Sequence, residues 1–257
     1  MKIQASFLTN FGNHRVKNED SLLVQNDVIF QSQMFDSESR LVDSETSMFC
    51  VADGMGGHLG GELASKSVLF YLRDQINQLK SIRNIRNAIH KSKVMLNSIA
   101  FETKTFGLGT TISGMIFRKK KAIIFNCGDS RVYKIEGKVL HRLTIDHSVV
   151  QNMYNAGLIE EEEMRTHPNK NLLTSAIIGD YTSHYPNIFF KEISISVGDQ
   201  FFLCTDGLWE SMSRSELEKI FCNSKSMDET ANRLNEFSLS NGGRDNITLI
   251  LLEVVSI

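Results

Sequence analysis

The chain has 257 residues, 41% hydrophobic and 23% charged, with a formal net charge of -2. That is the composition of a globular protein with a real core, and it offers no global basic surface for nucleic acid. No run approaches the roughly 20 apolar residues of a membrane-spanning helix, and MKIQASFLTN is not a signal peptide.

In chain order, IQASFLT and SLLVQNDVIF are apolar runs that predict strands. Gln31 to Ser47 is polar and without periodicity, so a surface loop or irregular hairpin is expected between two strands. SMFCVAD predicts the next strand. GELASKSVLFYLRDQINQL predicts a helix, with apolar Leu63, Val68, Leu69, Leu72, Ile76 and Leu79. A second helix is expected from about Ile82 to Thr103, through Ile85, Ile89, Val94, Leu96 and Ile99. TTISGMIF and KAIIFNCGD then read as strands joined by a hairpin at RKKKA, and RVYKIEG and VLHRLT as strands joined at EGK. QFFLCTD is another strand. SRSELEKIF and SMDETANRLNEFSLSNGG read as helices, with Ser213 and Ser226 as N-caps and Gly242 as a stop. NITLILLEV closes the chain as a strand.

Pro168 and Pro186 are the only prolines, and there is no linker or repeat, so residues 1–257 are expected to form a single domain. Strands and helix pairs in this order imply a layered α+β architecture: two packed sheets with helices outside. Cys50, Cys127, Cys204 and Cys222 form no CxxC pair and three sit in apolar runs. They read as small core residues in a reducing compartment, which points to the cytoplasm.

One feature recurs four times. An apolar strand meets an aspartate beside glycine or asparagine: Asp53-Gly54, Gly128-Asp129, Asp206-Gly207 and Asp245-Asn246. A single Asp-Gly is usually a turn. Four beside buried strands suggest carboxylates gathered at one edge, whose mutual repulsion bound cations would relieve. An all-oxygen donor set without a His/Cys cluster selects Mg²⁺ or Mn²⁺. Two such ions sharing a water lower its pKa and make a hydroxide nucleophile for in-line attack on a phosphate monoester.

Two further segments flank this pattern. DGMGGH (Asp53–His58) is a glycine-rich loop in which a backbone carbonyl could reach a metal, and His58 reads as a surface histidine. RVKNED (Arg15–Asp20) joins a phosphate-binding arginine to two acids, Glu19 and Asp20, that can hydrogen-bond metal waters. A solvated charged turn explains the same spacing.

RVKNED, VADGMGGH, GTT at 109–111, NCGDSR, LTIDHS, HPNKNLLTSAIIG with an extra Ile at 177–178, CTDGLWE and GRDNIT occur in this order. Together they resemble the type-2C, or PPM, metal-dependent serine/threonine protein phosphatases, especially the bacterial branch, over essentially the whole chain. The resemblance implies an αββα sandwich of two antiparallel sheets flanked by helices. It implies that Asp53 bridges two ions, with the Gly54 carbonyl on one and Asp206 and Asp245 on the other. Glu19 and Asp20 would act through metal water, and Arg15 would bind the substrate phosphate. Asp129 would hold a third, weaker ion with help from Asp206. Residues 150–185 would form a flap beside the site. The expected partners are phosphoproteins and a cognate serine/threonine kinase, and the expected state is a monomer.

There are departures. Met55 stands where animal members carry a histidine, a proposed general acid, and Glu210 where they carry aspartate. The 31–47 segment is longer than the family pattern. Asp146 in LTIDHS reads as the N-cap of a helix beginning near Ser148. Two rivals remain in view: a non-catalytic regulator on the same scaffold, which predicts loss of metal acids, and a nuclease, which predicts a basic groove beyond the RKKK run at 118–121.

Overall fold

Alternation of period two along the central strands sorts apolar side chains into two cores. Across Ser21–Val24 and Thr46–Ala52, Leu22, Val24, Phe49 and Val51 join one core, and Leu23, Met48, Cys50 and Ala52 the other. The computed structural model describes residues 1–56, 60–137 and 139–257. His58 and part of the DGMGGH and EGK segments therefore lie outside the described residues.

The chain begins with β1 (Lys2–Asn10), β2 (Ser21–Val24), β3 (Asp27–Ile29), β4 (Glu38–Asp43), β5 (Thr46–Ala52) and β6 (Gly54–Met55). Helices α1 (Gly60–Asp74) and α2 (Ile82–Thr103) follow. Next come β7 (Gly109–Thr110), β8 (Ile112–Arg118), β9 (Lys121–Cys127), β10 (Arg131–Glu136) and β11 (Val139–Arg142). After α3 (Val149–Asn155) lie β12 (Ile177–Ile178), β13 (Phe189–Ser194) and β14 (Gln200–Cys204). Helices α4 (Asp206–Trp209), α5 (Arg214–Asn223) and α6 (Met227–Ser240) lead into β15 (Ile247–Ser256).

Two six-stranded antiparallel sheets result, in the orders β11-β10-β14-β15-β1-β4 and β13-β9-β8-β5-β2-β3. Phe117 of β8 and Phe201 of β14 meet edge-on between them, with centroids 5.7 Å apart. Helices α1 and α2 cover the outer face of the second sheet through Val68, Leu69, Leu72, Ile85, Ile89 and Leu96. Helices α5 and α6 cover the first through Leu217, Ile220, Ala231 and Leu234. Each buried Val, Leu or Ile among these contributes about 1.5–3 kcal/mol. The architecture is the expected αββα sandwich. The expected caps hold: Ser213 Oγ accepts from the Glu216 amide and Ser226 Oγ from the Glu229 amide.

Several local expectations are corrected. SLLVQNDVIF is two strands, because Gln25 turns back at φ 58 and Leu22 pairs with Ile29. Part of the 31–47 segment is ordered as β4, which extends the first sheet by pairing with β1. Val94 lies on the solvent face of α2, 52% exposed, while Lys93 is buried against Asp180 at 2.7 Å. Ser148, not Asp146, caps α3, its Oγ accepting from the Gln151 amide at 3.2 Å. Asp146 is instead buried and bound by Arg131, Nη2 to Oδ2 at 2.7 Å. Strand β13 and the small sheet β12-β7-β6 carry too little apolar alternation to be read in advance.

Candidate metal centre

Strand register brings the acids to one rim. Ser21 pairs with Ala52, so Asp20 and Asp53 leave adjacent strands at the same end. Asn10 pairs with Ile247, which sets the loop carrying Arg15 and Glu19 beside Asp245. Arg131 pairs with Cys204, and Cys204 with Leu249, which brings Asp129 and Asp206 to that end as well. Gly54 and Gly207 permit the close approach. A Cβ on Gly54 would overlap the Gly61 carbonyl, and one on Gly207 the Asn246 carbonyl.

Neighbouring polar groups fix the acid-bearing backbone. The Asp53 carbonyl accepts from the Thr111 amide at 2.8 Å and Thr110 Oγ1 at 2.9 Å. Thr205 Oγ1 donates to Asp20 Oδ2 at 2.8 Å. Asn246 ties the two ends of the chain together. Its Oδ1 accepts from the Glu19 amide at 2.8 Å, and its Nδ2 donates to the carbonyls of Phe11 and Lys17 at 3.1 and 2.9 Å. Arg15 is exposed, and its Nη2 donates to Asp245 Oδ2 at 2.7 Å. Trp209 Nε1 donates to the Asp129 carbonyl at 3.0 Å.

The electrostatics report crowding. Burial, then the charges of Asp206, Asp20, Asp129 and Asp245, raise Asp53 well above the carboxylate range. Burial and Asp206 do the same to Asp129. Asp206 is raised by burial and then by Asp245, while a hydrogen bond with Asp53 draws it partly back. Burial pushes Asp20 up to about 8, and Glu210 to about 7 with help from Asp206. Glu19 is raised, by burial foremost. The hydrogen bond to Asp245 raises Arg15.

Such an assembly of carboxylates is unfavourable unless protons or cations neutralise it. Asp20 Oδ1 and Glu210 Oε1 are buried with no hydrogen-bond partner. Among the described residues no three His, Cys, Asp or Glu side chains stand as a closed cage around one point. Arg15 holds the Asp245 carboxylate in an ion pair. The donor chemistry nonetheless fits hard divalent cations: all oxygen, several carboxylates, two orphaned acceptors. Every sequence-derived candidate meets at this rim: Arg15, Glu19, Asp20, Asp53, Gly54, Asp129, Asp206 and Asp245.

Sequence reasoning missed Asn246, Thr205, Trp209 and the Lys170–Glu210 ion pair. Asn246 was legible only as a neighbour of Asp245. Lys170 lies within the HPNKNLLTSAIIG motif, but nothing local signals its pairing with Glu210, 40 residues away.

Residues 8–247 match the family described as protein phosphatase 2C. The serine/threonine phosphatase stp of Listeria welshimeri is 31% identical over 259 residues, covering 98% of this chain and 96% of that protein. The serine/threonine phosphatase PstP/Ppp of Mycobacterium tuberculosis superposes with a TM-score of 0.81 at 26% identity, over 100% of both chains. The catalytic domain of PstP in complex with two manganese ions gives 0.78 at 25% identity, again over 100% of both chains. A rim of aspartates on an αββα sandwich and likeness along almost the whole chain agree: the chain belongs to the protein phosphatase 2C family and is a bacterial serine/threonine protein phosphatase.

Proposed function

We propose that the protein hydrolyses phosphoserine and phosphothreonine monoesters of other proteins with two Mn²⁺ or Mg²⁺ ions, by direct attack of water and without a covalent enzyme intermediate. The observation that carries this is the convergence of Asp53, Asp206 and Asp245 from three distant strand ends onto one crowded rim. The PstP structure containing two manganese ions supports the choice of metal. Asp53 and the Gly54 carbonyl would hold one ion, and Asp53, Asp206 and Asp245 the other, with Asp129 and Asp206 available to a weaker third. When bound, the pair supplies an activated water and neutralises charge on the phosphoryl oxygens.

The chain's own residues do the rest. Arg15 swings its exposed guanidinium between Asp245 and the substrate, gripping two phosphate oxygens. Glu19 and Asp20 accept hydrogen bonds from water at the rim and keep it oriented. Thr205 fixes the Asp20 carboxylate. Met55 has no proton to give, so the leaving alkoxide takes its proton from solvent at the rim.

The two sheets pack face to face over one of the two cores, which supports reading residues 1–257 as one domain, with 150–185 as a flap beside the rim. No described helix is long and apolar enough to cross a membrane. A monomeric cytoplasmic enzyme opposing a serine/threonine kinase is the setting that fits, with no nucleic acid partner.

Hydrolysis of phosphoserine, phosphothreonine and phosphotyrosine peptides, with and without Mn²⁺, tests the reading. Turnover of the first two only, lost on chelation and restored by Mn²⁺, is expected. Activity that survives exhaustive chelation would overturn it.

A further inference from the structure

A groove of about 330 Å³ runs between Arg165, Thr166 and Lys170 on one side and the loop 241–245 on the other. It opens onto Asp245 and Gly207 and is therefore continuous with the acidic rim. Its charges are unevenly matched. The acids along it already have cations: Asp245 holds Arg15, and Glu210 holds Lys170. Two guanidiniums do not have matching acceptors. Arg244 is exposed and makes no hydrogen bond or ion pair with any other described residue. Arg165 approaches Glu162 only at 3.6 Å, and its Nε is buried without a hydrogen-bond partner.

We propose that this groove recognises an acidic residue of the phosphoprotein substrate, close in sequence to the phosphorylated serine or threonine, with Arg244 and Arg165 as specificity-determining residues. The inference rests on the phosphatase reading above. A guanidinium fork matches a carboxylate in a way no neutral side chain does. The volume lies at the lower end of the roughly 300–1,000 Å³ of ligand pockets, which suits a side chain rather than a folded partner. Continuity with the rim makes the occupant part of the same polypeptide as the phosphate. Once the phosphate is bound, a tethered carboxylate meets the arginines at an effective concentration of about millimolar.

The test uses the full chain with Mn²⁺ and a phosphothreonine peptide in a neutral background, along which a single glutamate is walked on both sides. The readout is the ratio of kcat/KM for each glutamate peptide to that of its alanine parent. The wild type should favour glutamate at one or two positions by on the order of fivefold, as suits an ion pair open to solvent. In Arg244→Gln, and in Arg165→Gln, that ratio should collapse toward unity at those positions. Arg244→Glu should shift the preference to lysine there. No favoured position in the wild type would overturn the proposal, as would an unchanged ratio in both glutamine variants. p-Nitrophenyl phosphate, which has no flanking residue, separates the two levels. If the wild type hydrolyses neither it nor any peptide, the phosphatase reading fails and takes the groove with it.

Discussion

Trp209 lies between two acid-bearing segments: its Nε1 donates to the Asp129 carbonyl at 3.0 Å, and its ring faces the Arg131 guanidinium at 3.4 Å from the centroid. The indole thus couples α4, which begins at Asp206, to the loop that carries Asp129. Trp209→Phe keeps most of the packing but leaves a buried carbonyl unpaired. A loss of about 1–3 kcal/mol is expected in urea unfolding. A variant as stable as the wild type would show that this bond does not matter to the fold.

Asp53 and Asp206 stand at the centre of the crowded rim. Asp53→Ala or Asp206→Ala should lower kcat by more than the 10–100-fold typical of residues that only support metal ligands. Both variants should remain folded, since each change relieves repulsion. Circular dichroism and turnover measured on the same preparation check this. Turnover near the wild-type rate in either variant counts against the assignment.

Arg15 is exposed apart from its bond to Asp245. Arg15→Ala should chiefly raise KM, by about tenfold for a lost charge-assisted contact, with a smaller change in kcat. Steady-state kinetics on one phosphothreonine peptide decide the matter. An unchanged KM would show that Arg15 does not hold the phosphate.

Burial holds Asp20 at about 8 and Glu210 at about 7. Both lie above the values of an unfolded chain, so the folded state binds protons more tightly. Their contribution to stability is full below the ordinary carboxylate range and is lost as pH rises through 7 to 8. Asp180 and Glu216 shift the other way and lose their contributions at acidic pH. Metal-stripped protein should therefore melt lower at pH 8.5 than at pH 6, by on the order of 5 °C. Asp20→Asn should flatten that slope. A melting temperature that rises over this interval would refute the account.

Asp146 receives Arg131 at 2.7 Å and Arg142 at 3.4 Å while almost wholly buried. Asp146→Ala leaves the buried Arg131 guanidinium without its carboxylate, while Arg142 keeps Gln151 at 2.9 Å, and a loss of about 3–5 kcal/mol is expected. Chemical denaturation measures it directly. A loss below about 1 kcal/mol would return Asp146 to a minor role at the start of α3.

How far the chain could be read depended on how local each signal was. The α2 boundaries, Ile82 to Thr103, were expected as found, because the apolar period and the turn residues are local. The acids that meet at the rim were legible as a recurring strand-end pattern. What gathers them was not, since it depends on registers such as Ser21 with Ala52 and Arg131 with Cys204. The role of Asp146 was misread for a related reason. Its sequence neighbours suggest a helix cap, while its true partner, Arg131, lies across a β-hairpin. The extension of the first sheet by β4 was hidden by its polar composition, which is what an exposed edge strand requires.

Asn246 spans the seam where the chain's beginning meets its end. With three bonds from one amide it pins both ends of the segment from Phe11 to Glu19, which carries Arg15, against the end of the chain that carries Asp245. In the function proposed above, the phosphate-binding arginine and the water-orienting glutamate therefore share one anchor, so displacing it would move both together.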